Sequence, residues 1–279
     1  FSLSSIQRGP KASEHLKKHY KTFEEIKSQG LDALIITGAN VSHPDLQRAP
    51  FYEQLKEVVE WSYENVTSTL CSCLATHAVL EFKYGQKRQP VGAKHWGVFP
   101  HKVVNRGHPL VKGVNTRFDI PHSRFNEISE LQFAKAEVEV LAKSPIGVHL
   151  AVSPDLFRIV FFQGHPEYDA ISLLKEYKRE VALYLENNGT EYPPIPSNYL
   201  SLQSQAILEE YRTKLDSKKA SIADFPEALI TNKLDNTWHD SANAIINNWI
   251  GCVYQITNED IAKPFMDGID PNNPLKLKK

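Results

Sequence analysis

The chain has 279 residues, 41% of them hydrophobic, with 32 Lys and Arg against 33 Asp and Glu. That is enough apolar mass for a sizeable core, and no net field that would draw in nucleic acid or an anionic membrane. There is no apolar run of about eighteen residues and no charged segment leading into an apolar one at the start, which argues against a membrane span or signal peptide and for a cytoplasmic location.

Helical and strand patterns alternate along the chain. Residues 13–28 carry Leu16, Tyr20, Phe23 and Ile26 at helical spacing and predict an amphipathic helix ended by Gly30. Residues 31–37 follow as a short, nearly continuous apolar strand closed by Gly38, a pattern that suits a parallel sheet covered on both faces. A helix is expected from Pro50 to Trp61, a strand over 66–72 and a helix over 74–84. Further strands are expected at 97–104, 135–142, 147–152 and 157–162, then a helix over 170–187. Residues 188–200, rich in Pro, Asn and Gly, read as a linker, 201–220 as a charged helix, and 239–252 as a last apolar helix that packs through Trp249 and Tyr254. The chain so divides into an α/β core (1–187), a linker with a charged helical insertion (188–238), and a C-terminal helix on the core with its tail (239–279).

Cys73 falls where the strand at 66–72 should turn into the helix at 74–84. A side chain there projects over the carboxyl edge of the sheet, where open α/β sheets place their sites. The unpaired N–H groups of the new helix, Leu74 first, favour a thiolate and can bind an oxyanion. About ninety residues later, Gly164-His165-Pro166-Glu167 ends the strand at 157–162. A thiolate needs a base, and the base needs a group to hold its tautomer; His165 and Glu167 supply both types. The bland alternatives are a buried structural thiol and a satisfied loop histidine. Placement at the corner, and a carboxylate beyond a rigid proline, favour a Cys-His-Glu triad that passes acyl groups through a thioester. Cys71 should point into the core by strand alternation, and three cysteines make no disulfide framework.

Arg179, on the helix after His165, reads either as a solvated charge or as a wall of the cleft. Pro121-His122-Ser123-Arg124, a polar cluster following an expected strand, reads as a turn with an exposed arginine or as a lining of the site. The histidines His15, His19, His43, His95 and His101 show no ligand spacing, so no metal site is expected.

Taken together these segments resemble the homoserine O-acyltransferases, acetyl and succinyl. The resemblance runs from about residue 10 to residue 260. It rests on Ile36-Thr37-Gly38-Ala39, Asn65-Val66-Thr67-Ser68-Thr69-Leu70, Pro121-His122-Ser123-Arg124, Gly164-His165-Pro166-Glu167-Tyr168-Asp169-Ala170 and Val253-Tyr254-Gln255-Ile256-Thr257, among others in the same order. It implies an α/β fold with a mostly parallel sheet and helices on both faces, class I glutamine amidotransferase-like, a flavodoxin-like three-layer arrangement. It implies Cys73 as nucleophile, His165 as base and Glu167 as its orienter, with Arg179 gripping the carboxylate of the amino-acid substrate. Ser123 and Ser42 would line the substrate pocket. The implied chemistry is ping-pong transfer from acyl-CoA to L-homoserine, with no bound cofactor, in a homodimer serving methionine biosynthesis.

The chain departs from the family at Leu74 and His77, where Trp and Gln are usual, and at Asn40, Pro100 and His239. Ser42 stands where glutamate marks acetyl users and glycine succinyl users, and is neither. The family's N-terminal segment, with its first strand and a lysine near the oxyanion site, has no counterpart before Phe1. Ser42 alone leans towards succinyl-CoA, but the reshaped surroundings (His43-Pro44, Leu74, His77) and the likeness elsewhere lean the expectation towards acetyl-CoA. Serine is the alternative acceptor. A glutaminase or amidotransferase shares the His-Pro-Glu, but lacks support because the glycine-flanked cysteine followed by glutamine is absent; a non-catalytic relative is disfavoured by the intact triad.

Overall fold

A computed structural model of the protein describes residues 1–39, 41, 43, 45–187 and 191–278. Its seven strands are β1 (Ala33–Ile36), β2 (Ser68–Ser72), β3 (Gln89–Val103), β4 (Arg117–Glu127), β5 (Glu139–Ser144), β6 (Gly147–Val152) and β7 (Ile159–Phe162). Its α-helices are α1 (Pro10–His19), α2 (Phe23–Gln29), α3 (Tyr52–Asn65), α4 (Leu74–Tyr84), α5 (Glu130–Lys135), α6 (Ser172–Glu186), α7 (Leu202–Asp216), α8 (Glu227–Thr231) and α9 (His239–Ile256).

The strands form one sheet in the order β1-β2-β7-β6-β5-β3-β4. The α/β class stands, but the parallel expectation holds only where β1, β2 and β7 pair. The remaining pairs, from β7 through β6, β5 and β3 to β4, are antiparallel. The connections explain this. Only residues 145–146 separate β5 from β6 and 153–158 separate β6 from β7, too few for the crossover that parallel neighbours require.

Strand alternation divides the core into two layers. Cys71, Phe161 and Ala151 face α3, α4 and α5, through Leu55, Val59, Leu74, Ala78 and Phe133. Leu70, Val160, Phe162, Leu150 and Val152 face α9, through Ile245, Trp249 and Val253. Burial at full depth of one such side chain contributes about 1.5–3 kcal/mol, so these two layers dominate what holds the sheet. A third cluster joins Leu174, Tyr177 and Val181 of α6 to Leu208, Phe225 and Trp238.

The single helix expected over 13–28 is two. Thr22 accepts from the Glu25 N–H while the Glu25 carboxylate accepts from the Thr22 N–H, a capping box that starts α2 afresh. The strand expected ahead of Pro121 runs on as β4, so Pro121–Arg124 lies inside it rather than in a turn. Trp249 is buried and donates to Ser68 Oγ at 2.8 Å, but Tyr254 is exposed, so the packing role expected of it is not seen. No helix among the described residues is long and apolar enough to cross a membrane.

Candidate active site

β2 and β7 are parallel neighbours with Ser72 opposite Phe162, so both chains leave the sheet at the same edge. That register brings together Cys73 and His165, far apart in sequence. The Cys73 N–H donates to the Phe162 carbonyl at 2.7 Å. Cys73 itself takes φ 50° and ψ −108°, a conformation costing a non-glycine residue about 1–3 kcal/mol and common where a side chain must be presented at a sharp corner. α4 begins at the next residue, Leu74. Its first-turn N–H groups surround the sulfur with positive potential.

His165 is 9% exposed and lies within electrostatic reach of the Cys73 side chain. Its Nδ1–H donates to Glu167 Oε1 at 2.9 Å, which leaves Nε2 for the sulfur. Burial alone would lower the imidazole. The negative charge of Cys73, the hydrogen bond between them, and Glu167 overcome it and raise His165 to about 10. Each of these favours the protonated ring. Burial opposes the charge on Glu167, but the hydrogen bond and charge of His165 prevail and hold its carboxyl below the ordinary range. Ser72 Oγ donates to the same Oε1 at 2.9 Å, so the residue before Cys73 steadies the Glu167 carboxylate; sequence reasoning missed it.

Gly38, at the end of the β1 segment, lies against this corner. A Cβ there would sit 3.3 Å from both Cys73 Cβ and Leu74 N, so a side chain would crowd the approach to the Leu74 N–H. Cys71 is fully buried, and burial raises its thiol far above the ordinary range; burial also raises Cys252. Neither competes with Cys73.

The corner opens onto a cavity of about 380 Å³ whose walls include Gly38, Leu74, His77, Arg88, Lys94, Ser123, Arg124, His165, Tyr168, Glu176 and Arg179. Glu176 ties one wall together. Its Oε2 accepts from Ser123 Oγ at 2.6 Å and Trp96 Nε1 at 3.0 Å, and its Oε1 from the Tyr168 hydroxyl at 2.6 Å. Lys94 Nζ lies 4.0 Å from Glu176 and 3.8 Å from Glu180. Arg179 stands at the rim, 55% of its side chain exposed, 3.7 Å from Glu180. Ser123 and Arg179 thus line the cavity with His165 and Glu167, whereas Ser42 lies outside the described residues. Glu176 and Lys94 were not anticipated. Glu176 precedes Arg179 by three residues on α6, which puts both on one helix face, and that spacing was the available signal.

On another wall, His77 Nε2 lies 3.0 Å from Gln163 Oε1. The Gln163 amide N–H groups are spent on the Ile128 and Val148 carbonyls, so Nε2 is the donor. Burial first, then the Arg124 charge, lowers His77 to about 3, so it stays neutral. Among the described residues, no group of three or more His, Cys, Asp or Glu is placed to hold a metal ion.

The family model for homoserine O-succinyltransferase matches residues 1–259. The chain belongs to the homoserine O-succinyltransferase family. It is 59% identical to the homoserine O-succinyltransferase of Nitrosococcus oceani, over all of this chain and 79% of that protein. It is 58% identical to the protein of that name from Thioalkalivibrio nitratireducens, over all of this chain and 80% of that one. Among solved structures it resembles a glutamine amidotransferase from Methylobacillus flagellatus, at 17% identity and a TM-score of 0.49, over 90% of this chain and 92% of that one. The acyltransferase class read from the sequence stands. The lean towards acetyl-CoA does not, because the family model and these relatives carry the succinyl name.

Proposed function

We propose that this chain transfers a succinyl group from succinyl-CoA to the hydroxyl of L-homoserine through a thioester on Cys73. The observation that carries the reading is the meeting of Cys73 with the hydrogen-bonded His165–Glu167 pair at the parallel edge of the sheet, beside the cavity. The Cys73 thiolate attacks the thioester carbonyl of the donor, and the oxyanion that forms is received by the Leu74 N–H at the start of α4. CoA leaves as a thiolate and takes the proton of the His165 imidazolium. His165, now neutral, accepts the homoserine hydroxyl proton as that oxygen attacks the Cys73 thioester. Collapse expels the Cys73 thiolate, releases O-succinylhomoserine and restores the ion pair.

The amino acid would place its carboxylate towards Arg179, whose planar fork suits two charge-assisted bonds, and its ammonium towards Glu176. The distal carboxylate of the succinyl group needs a positive wall, and Arg88 and Arg124 both line the cavity within electrostatic reach of Cys73.

The test is a matrix of succinyl-CoA and acetyl-CoA against homoserine and serine, followed by release of free thiol. Succinyl-CoA with homoserine should give the highest kcat/KM. A higher value with acetyl-CoA would overturn the donor assignment, and transfer to serine alone would overturn the acceptor.

A further inference from the structure

Beneath the turn that carries His165 lie three imidazoles the reaction does not use: His101 on β3, His122 on β4 and His149 on β6, each at most 1% exposed. The rings of His101 and His122 stack at a centroid distance of 5.0 Å, with their Nε2 atoms 3.3 Å apart. The groups at the two ends dictate where the protons of this pair sit. Arg124 Nε–H can only donate, and does so to His122 Nδ1 at 3.3 Å. That nitrogen must therefore be bare, and a neutral His122 carries its proton on Nε2. His101 Nε2 must then accept, which puts the His101 proton on Nδ1. There it meets the Phe99 carbonyl, which can only accept, at 2.9 Å. Starting from Phe99 gives the same assignment. A second proton on either ring would set two donors face to face, and burial followed by the Arg124 charge keeps His122 well below the ordinary imidazole range.

We propose that His122, its tautomer locked by His101, is a positioning residue that holds the Arg124 guanidinium in place beside Cys73. Arg124 is 4% exposed and lines the cavity, and its charge and that of Cys73 act on one another. Its NH1 is fixed by Glu127 Oε2 at 3.1 Å and its NH2 by the Ile146 carbonyl at 2.6 Å; His122 adds the anchor at Nε. The same ring abuts the residue before His165, since a Cβ on Gly164 would lie 2.8 Å from His122 Nε2. The inference rests on the proposed site only in taking Cys73 as the reactive thiolate.

The test is the rate at which iodoacetamide alkylates Cys73 at neutral pH, with the modified peptide identified by mass, in the parent, Arg124→Gln, His122→Asn and His122→Phe. Asparagine places an amide oxygen near the Nδ1 position, so it keeps the acceptor while leaving a void. Phenylalanine fills the space of the ring and removes the acceptor. A positioning role predicts that His122→Phe slows alkylation by about threefold or more, towards Arg124→Gln, while His122→Asn stays within about twofold of the parent. If His122→Phe does not fold, His101→Phe, which removes the lock on the tautomer, is expected to give the same direction of change. A packing role predicts the reverse order, with phenylalanine tolerated and asparagine slow, and that order overturns the inference. Thiol release from succinyl-CoA by the parent, measured alongside, reports separately on the acyl-carrier reading: its absence with the alkylation order intact would retire the proposed function and leave the positioning role standing.

Discussion

Capping the Cys73 sulfur should convert His165 from an acid into a base. In the free enzyme His165 is raised from 6.5 to about 10, against burial, by the charge of Cys73, their hydrogen bond and Glu167. At about 1.4 kcal/mol per pH unit, that excursion corresponds to roughly 5 kcal/mol of preference for the charged ring. Cys73 supplies the leading contributions that raise it. Alkylation with iodoacetamide, like acylation, removes the negative charge and leaves Glu167 alone against burial. The titration midpoint of His165 should then fall by about two pH units or more, into the range where a neutral imidazole accepts a proton. Proton–carbon NMR of ring-labelled histidine measures it, with His165 assigned by its loss in His165→Gln. A midpoint that stays within about half a unit of its starting value would show that Glu167 alone holds the proton, and the base role in the second half-reaction would fail.

Three further outcomes are expected. Incubation with succinyl-CoA and no acceptor should add one succinyl group by intact mass, lost in Cys73→Ala and kept in Cys71→Ala; an adduct on Cys252 would refute the assignment. Arg179→Lys should depress homoserine use by about tenfold or more, because lysine cannot reproduce a bidentate fork, while donor-only thiol release stays nearly intact; equal loss of both half-reactions would make Arg179 structural. Acid should destabilise the fold, because His77 and His101, held to about 3 and about 4, take up protons on unfolding. Their contribution to stability is complete above pH 6.5 and is lost as pH falls towards those values, by up to about 1.4 kcal/mol per pH unit for each ring. Urea midpoints measured between pH 7 and 4.5 check this, and a flat profile would contradict it.

The meeting of Cys73 with His165 and Glu167 was legible because each is announced locally. Cys73 sits between a short apolar run and a helical pattern, and His165-Pro166-Glu167 follows the next such run. α4 begins and ends at the expected residues, since Cys73 and Gly85 delimit an uninterrupted helical segment. The second half of β4 was illegible for a physical reason. Its buried face reads Phe118, Ile120, His122, Arg124, Asn126, so the alternation is there but turns from apolar to polar midway, and hydropathy loses the strand at Pro121. Those polar residues are buried because the cavity and the imidazole pair receive them. The Glu176 hub was illegible because it gathers Trp96, Ser123 and Tyr168 from three segments, and no local pattern encodes that meeting.

The two halves of the sheet do different work, and the mixed topology is what allows it. A thiol and a base far apart in sequence can meet with short tethers only if both follow strands that end at the same edge. Parallel neighbours such as β2 and β7 guarantee that, and an antiparallel pair would send the two ends to opposite edges. The antiparallel half does the complementary task. β3 and β4 stay paired from Gln89–Glu127 through Lys102–Arg117, apart from a register shift between Pro90 and His95. They carry Ser123 and Arg124, paired with Trp96 and His95, past the corner that holds Cys73, so these two cavity-wall groups stand on a strand rather than a loop. Their spacing from the sulfur is therefore set by backbone hydrogen bonds. On this view, truncating Ser123, which touches the Glu176 wall and not Arg124, should alter which acceptor is accepted before it alters the chemistry at Cys73. Kinetics in which Ser123→Ala changed the ratio of kcat/KM between homoserine and serine, while leaving donor-only acylation of Cys73 within about twofold, would bear this out. A matching loss of Cys73 acylation would show that the two halves cannot be separated.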